Sequence, residues 1–265
     1  MSNWNAKSKI RKWLLGDNRF ITEATPSSQI KELLASLHPV QTEHSLLRLG
    51  ADGDGGYLIP DDLAGIAACY SPGVGATSVF EQDCAKLGME VYLADASVSN
   101  PPENDVRFNF TKKYIGALSD DTFMTLTEWV QESSRENGDL LLQIDIEGYE
   151  YEAILATDES TMNRFRIIAA EFHLLDMLWS RPFYLVASRA IEKLLATHVC
   201  VHIHPNNCCH VERRNGISIP RAMEFTFLRR DRYSHASPAS VFPHPLDCDN
   251  TSKSHLVLPD CWFVK

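Results

Sequence analysis

No stretch of the 265-residue chain approaches the ~20 consecutive apolar residues that a membrane span requires. The opening segment, MSNWNAKSKIRKWLLGDNRF, also lacks the unbroken apolar run of a secretory signal. Positive charge is in deficit: 25 Lys and Arg face 35 Asp and Glu, for a formal net charge of −10. Such a surface does not gather nucleic acid or anionic lipid nonspecifically, so neither is expected as a partner. No internal repeat and no low-complexity tract is present. The seven cysteines are odd in number and follow no leader, which predicts free thiols in a reducing cytoplasm rather than a disulfide framework.

What is there suits one large α/β domain. Hydrophobic residues make up 44% and charged residues 23% of a chain long enough to bury a core without staples. Residues 1–20 have the spacing of a basic amphipathic helix, docked on the domain or used as a surface contact. Residues 27–37 (SSQIKELLASL) read as a second helix with a serine cap, stopped by His38-Pro39. From residue 66 strands and helices alternate. IAACY (66–70), EVYLAD (90–95), the start of 106–118, DLLLQIDIEG (139–148), FRIIAAEFH (165–173) and CVHIHPNN (200–207) read as strands. Residues 78–88, 125–137, 151–156 and 181–198 read as the helices between them. RAMEFTFLRR (221–230) alternates with period two and reads as an antiparallel partner of the last strand. The alternation predicts a mostly parallel sheet covered on both faces. The expected division is a helical extension over 1–45, one domain over 46–230, and an ordered tail over 231–265.

In such sheets ligands bind beyond the carboxyl ends of the strands. The first strand runs into Ser71-Pro72-Gly73-Val74-Gly75-Ala76-Thr77, where two glycines let backbone approach a ligand and a helix start follows. Asp95 ends the second strand, where a carboxylate can accept both hydroxyls of a ribose. Two nucleoside cofactors fit, a nicotinamide dinucleotide and S-adenosylmethionine. The third glycine of the dinucleotide fingerprint is replaced by Ser78.

Three later strand ends carry Asp145, then Glu171 and His173, then His202 and His204. Residues two apart share a face, so Glu171 pairs with His173 and His202 with His204. If the three ends lie side by side, Asp145, Glu171, His173 and His204 converge on the pocket behind the glycine turn. Two carboxylates and two imidazoles make a divalent-metal site or a general-base cluster.

DIEGYE at 145–150 resembles the signature of FkbM-type S-adenosylmethionine-dependent methyltransferases. LRLGADGDGGYLIP (47–60), YSPGVG (70–75), AAEFH (169–173) and HIHPNN with IPRAMEF (202–207, 219–225) are similar to further segments of that family, in the same order. The resemblance spans roughly residues 45–230. It implies a Rossmann-like class I methyltransferase fold, with a seven-stranded, mostly parallel sheet and a final antiparallel hairpin. It also implies methylation of a hydroxyl, often on a sugar or glycan or a natural product.

Carried across, Ser71, Gly73 and Gly75 would line the methionine part of the cofactor. Asp95 would hold the ribose beside Ala96 and Ser97, and Ala117 and Leu118 would lie near the adenine. Asp54 and Tyr57 would close over the site from the N-terminal side. Asp145, Glu171 and His173 would bind Mn²⁺ or Mg²⁺, with two imidazoles favouring Mn²⁺. Asp145 would be catalytic, His204 the preferred base and His173 the next candidate.

Trp179, Arg181 and Phe183 could meet a sugar, or could simply pack a helix start. Two other functions compete: an NAD(P)-dependent oxidoreductase, and a binding module with structural zinc at Cys208, Cys209 and the nearby histidines. Adjacent cysteines are an awkward ligand pair for tetrahedral zinc.

Overall fold

The computed structural model describes residues 22–103, 105–133 and 138–264. The helix expected over 1–20, and the last turn of the one expected over 125–137, lie outside these residues. The described chain begins with α1 (Ser27–Ser36), then β1 (Val40–Thr42), β2 (Leu46–Leu49) and β3 (Tyr57–Pro60). It continues through β4 (Ile66–Pro72), α2 (Val79–Lys86), β5 (Glu90–Ala94), β6 (Phe108–Thr111) and the short pair β7 (Tyr114–Ile115) and β8 (Phe123–Met124). Next come α3 (Leu126–Ser133), β9 (Asp139–Ile144), α4 (Glu150–Ala156), α5 (Glu159–Met162) and β10 (Phe165–Phe172). A one-turn helix (Leu175–Trp179) leads to α6 (Arg181–Thr197), β11 (His198–Pro205), β12 (Val211–Arg214), β13 (Ile217–Pro220), β14 (Met223–Arg229) and β15 (Ala236–Pro238).

This is a mixed α/β fold of Rossmann-like type. Seven strands form one sheet in the order β11-β14-β10-β9-β4-β5-β6. All are parallel except β14, which runs antiparallel to both neighbours. The strands are apolar on both sides because both faces are covered. Leu140 and Leu142 enter the larger core with Phe172, Trp129 and Ile191, whereas Leu141 enters the second core with Tyr57, Phe80 and Ile167. Helices α1, α3, α4 and α6 lie over the first face; α2 and the β2–β3 hairpin lie over the second.

The expected serine cap on α1 is not made. Pro26 precedes the helix, which has no side-chain cap. Ile30, Leu33 and Leu34 of this helix and Trp262 of the tail are buried in the larger core. Strand β1 pairs with β15, tying the segment before the sheet to the tail after it. Among the described residues no helix is long and apolar enough to cross a membrane.

One expectation is corrected by the topology. The ends of β9, β10 and β11 do not lie side by side, because β14 is inserted between β10 and β11. The register places Glu171 opposite Glu224, and Glu224 opposite His204. His204 is therefore two strands from Glu171, with a third carboxylate between them.

Candidate functional site

A cavity of about 520 Å³ opens at the carboxyl ends of β4, β5 and β9. Its floor is the turn after β4. Gly73 has φ +91°, and a Cβ there would meet the Asp145 carbonyl oxygen at 1.8 Å, so the crossing of two chain segments requires glycine. Gly75 is different. It has ordinary φ, and a Cβ would find only the Thr77 carbonyl at 3.9 Å. The fold does not require a bare residue at 75, which faces the cavity. A Gly75→Ala variant is therefore expected to keep its melting temperature and, if the cavity takes the nucleoside expected from the sequence, to bind it about tenfold more weakly through loss of close backbone approach. Calorimetry with S-adenosylhomocysteine checks this; unchanged affinity would remove Gly75 from the site.

Asp95 also lines the cavity and is held from both sides. Its Oδ2 accepts the Val74 N–H (3.0 Å) and its Oδ1 the Ser97 N–H (2.6 Å). The carboxylate is thus tied to the glycine turn and retains lone pairs for a diol. Ser97 is at the cavity wall, whereas Ala96 is not.

The opposite wall is aromatic. Tyr114 and Phe123, paired across β7 and β8, have ring centroids 5.4 Å apart, and Phe123 lies 6.0 Å from Tyr149. Tyr114 and Tyr149 are exposed. These rings form the flat apolar surface that a purine needs. Ala117 and Leu118, expected in this position, do not line the cavity. The loop joining the parallel strands β7 and β8 carries them outward, leaving Leu118 78% exposed, while the Ala117 N–H donates to Glu152. The sequence signal was available in Tyr114, just after the β6 exit, and in the tyrosine of DIEGYE.

At the end of β9 the cavity meets an acidic cluster. Asp145 lines the cavity, and its ligand atoms, with those of Glu171 and His173, all lie within 4.8 Å of one another. The turn after Asp145 carries two positive φ values, at Glu147 and Gly148, which fold it back toward α4. Glu150, fully buried, holds this turn. Its Oε1 accepts the N–H groups of Ile146 (3.1 Å) and Gly148 (3.0 Å), and lies 3.1 Å from His173 Nδ1.

With a carboxylate at Nδ1, that nitrogen carries the proton, and Nε2 faces Glu147 (3.5 Å), Glu171 (3.7 Å) and Asp145 (3.9 Å). An imidazole oriented by one carboxylate, with its far nitrogen turned toward others at non-bonding distance, is the arrangement of a cation ligand and its supporting residue. The sequence reading gives Glu150 no role beyond its place in DIEGYE, just before the helix expected at 151–156.

Electrostatics fit a site that gathers positive charge. Burial and the Glu171 charge push the Asp145 carboxyl well up. Burial and the neighbouring Glu224 charge push Glu171 up to about 7. Burial alone would lower His173, but the Glu150 hydrogen bond and the surrounding carboxylates outweigh it and raise the ring to about 9.

Other expected site residues lie beneath or beside the cavity rather than in its wall. Ser71 is buried, within hydrogen-bond reach of the Glu81 carboxyl and 2.6 Å from Gln143 Oε1. Gln143 Nε2 in turn donates to the Tyr57 hydroxyl (3.1 Å). Tyr57 is buried under the acidic cluster, which together with burial drives its phenol far above the usual range. Ser71 and Tyr57 therefore support the site from below. Asp54 is exposed in the turn between β2 and β3 and does not line the cavity.

His204 is buried behind Glu224. Its Nδ1 is 3.6 Å from Asp247, and neither ring nitrogen has a hydrogen-bond partner among the described residues. The tail wraps this edge of the sheet, with Asp247 also 2.8 Å from His202 Nε2. The cluster thus contains one imidazole, not two, and loses the preference for Mn²⁺ over Mg²⁺ that two would give.

Trp179 is buried under the Arg214 guanidinium (5.1 Å to the ring centroid), Phe183 packs on Tyr151, and Arg181 bonds Gln29. All three serve packing. Cys208, Cys209 and His210 form no metal-holding group among the described residues.

No family model matches the sequence, and no curated protein does. A solved structure from Thermoplasma acidophilum, described as protein 1320, aligns over 63% of this chain and 80% of its own. Identity is 11% and the TM-score is 0.34, too slight a likeness to speak to function.

Proposed function

We propose that this chain is an S-adenosylmethionine-dependent O-methyltransferase acting on a hydroxyl, of a sugar or glycan, with a divalent cation held beside the cofactor. The observation that carries this reading is that Asp145 belongs to two sites at once. It lines the nucleoside-sized cavity and supplies one ligand of the Asp145–Glu171–His173 cluster. A donor and a metal-assisted acceptor would therefore meet at one side chain, the proximity that a bimolecular transfer needs. The seven-stranded sheet with one antiparallel strand also agrees with what the resemblance to FkbM-type enzymes implies.

Charge separates this from the oxidoreductase reading. A dinucleotide places its pyrophosphate at the helix start after the glycine turn. Here the Ser78 N–H at that start already donates to the Glu103 carboxylate (2.6 Å), and Asp145 and Glu147 stand across the cavity. The amide a pyrophosphate would use is thus already taken, and the exposed Glu147 carboxylate repels a pyrophosphate and attracts a sulfonium. Titration calorimetry with S-adenosylhomocysteine and with NADH tests the choice: the first is expected to bind and the second not. NADH binding alone would replace this reading with the oxidoreductase.

When bound, S-adenosylmethionine would supply the methyl group, and a cation held by Asp145, Glu171 and His173 would lower the pKa of the accepting hydroxyl. The residues do the rest. Asp95 and the Gly73–Gly75 turn orient the nucleoside, and Tyr114, Phe123 and Tyr149 cover its base. Glu150 holds His173 with Nδ1 protonated, which leaves Nε2 for the cation. Glu171, in the same cluster, is the carboxylate placed to take the hydroxyl proton.

Cation binding should depend on pH. Without a cation, Glu171 and Glu224 at about 7 hold protons that the unfolded chain releases at its ordinary 4.5, so stability falls as pH rises through that interval. His173, raised from 6.5 to about 9, adds stability that is complete below 6.5 and is lost as pH rises through 9. A bound cation needs ionised carboxylates and an unprotonated Nε2. The rise in melting temperature caused by Mn²⁺ is therefore expected to be larger at about pH 8 than at about pH 6. Equal shifts at both would show that these groups do not hold the ion.

A further inference from the structure

The turn after β11 contains two adjacent cysteines on which no function has been placed. Cys208 is half-buried and Cys209 exposed, and their sulfurs are 2.8 Å apart. Cys69, Cys84 and Cys200 are buried. The turn is joined to the acidic cluster through a single side chain. Asn206, 5% exposed, donates from Nδ2 to Glu171 Oε1 (2.7 Å) and accepts the Cys208 N–H at Oδ1 (2.8 Å). The Cys208 amide therefore fixes the asparagine that fixes Glu171. The turn is tied down on either side, after Cys209 by the Arg221 N–H that donates to the His210 carbonyl (3.1 Å) and before it by the tail. Asn207 Nδ2 donates to the Thr251 and Lys253 carbonyls (3.1 and 3.0 Å), and Lys253 Nζ donates to the Cys208 carbonyl.

We infer that Cys208 and Cys209 form an oxidisable dithiol site for low-molecular-weight disulfides, and that closing it weakens cation binding at Glu171. The first part stands on the thiol pair; the second rests on the cation reading proposed above. The chemistry is two thiol–disulfide exchanges. The exposed Cys209, as its thiolate, attacks one sulfur of a small disulfide RSSR, forming Cys209–S–SR and releasing RS⁻. Cys208 then gives up its proton and attacks the Cys209 sulfur, forming the Cys208–Cys209 bond and releasing the second RS⁻. Two protein thiols are oxidised and one RSSR is reduced to two RSH. Burial and the Cys209 thiol push the Cys208 thiol up to about 12, which assigns the first attack to Cys209.

Geometry explains why this bond would switch rather than staple. Adjacent Cα atoms are about 3.8 Å apart across a trans peptide. An unstrained disulfide spans roughly 4.4–6.8 Å between Cα atoms. The ring is therefore strained and readily reduced. With both flanks stitched down, the Cys208–Cys209 backbone must turn to close it. That turn moves the Cys208 N–H away from Asn206, and Glu171 loses the support of its amide partner. Loss of such support around a metal ligand lowers affinity about tenfold.

The full chain, reduced and then treated with oxidised glutathione, tests this by mass spectrometry and by Mn²⁺ calorimetry. The expected result is loss of two hydrogens mapped to Cys208–Cys209, reversed by dithiothreitol, with Mn²⁺ affinity about tenfold lower in the oxidised form. A variant carrying Cys208→Ser and Cys209→Ser should show neither change. A glutathione adduct that persists without loss of the two hydrogens overturns the dithiol site, as does the same loss in the double variant. Equal Mn²⁺ affinity in both redox states overturns the coupling. If the reduced protein binds no Mn²⁺, the cation reading falls and takes the coupling with it, while the mass change still decides the thiol pair.

Discussion

Asp145→Asn is expected to lower methyl transfer by about a thousandfold while leaving S-adenosylhomocysteine affinity within about threefold. The substitution keeps the volume of the side chain and removes its charge. At the cavity wall Asp145 makes one contact among many, so nucleoside binding survives. In the proposed cation site it would be one of three ligands, so Mn²⁺ affinity should fall by at least about a hundredfold. His173→Ala should match it, because it removes the nitrogen that faces the same point.

His204→Gln provides the contrast. A proton acceptor must reach the proton it takes, directly or through one water. His204 stands behind Glu224, two strands from Glu171, and its substitution is expected to leave turnover within about threefold. Release of S-adenosylhomocysteine with a panel of sugar acceptors measures turnover, and calorimetry measures the ion. Wild-type turnover from Asp145→Asn would remove the cluster from catalysis. A collapse in His204→Gln with the fold intact would return the role of base to that residue.

Glu150→Ala is expected to cost about 3–5 kcal/mol of stability, because it strands three donors in a buried site. The Ile146 and Gly148 amides and His173 Nδ1 all converge on Glu150 Oε1, and the residue is 0% exposed. Glu150→Gln separates the two jobs of the side chain. The amide oxygen can keep the backbone bonds, so most of the stability should return. The negative charge does not return, and burial then dominates His173, whose pKa should drop from about 9 toward or below its ordinary 6.5. Denaturant unfolding reads the first effect and an NMR titration of the His173 ring reads the second. A cost below about 1 kcal/mol for Glu150→Ala would show that the turn after Asp145 is held by something else.

Much of the candidate site was legible in the sequence because it depends on short-range geometry. The glycine turn with Asp95, and the two-residue spacing of Glu171 and His173, are local features that a strand and a βα turn translate directly into position. Errors appear where a residue depends on a distant partner. Ser71 and Tyr57 looked like cavity residues, yet each points into a buried chain that runs through Gln143, 72 and 86 positions away. Ala117 and Leu118 lie in the loop between two parallel strands too short to show a pattern. Cys208 drew notice as a metal ligand, but its clearest structural link is the backbone N–H that steadies Asn206.

By itself the sequence determined the alternation of strands and helices, the apolar faces of both, and the chemistry at each strand's carboxyl end. Periods of 2.0 and 3.6 are properties of backbone hydrogen bonding within a few residues, so they can be read locally. Only the tertiary structure decided which strand ends meet. Strand order is settled by competition among whole faces for burial, and here β14 won the place beside β10. That choice brought Glu224 next to Glu171, moved His204 out of reach, and left Glu150, five residues from Asp145 in the chain, to orient the one imidazole that remains.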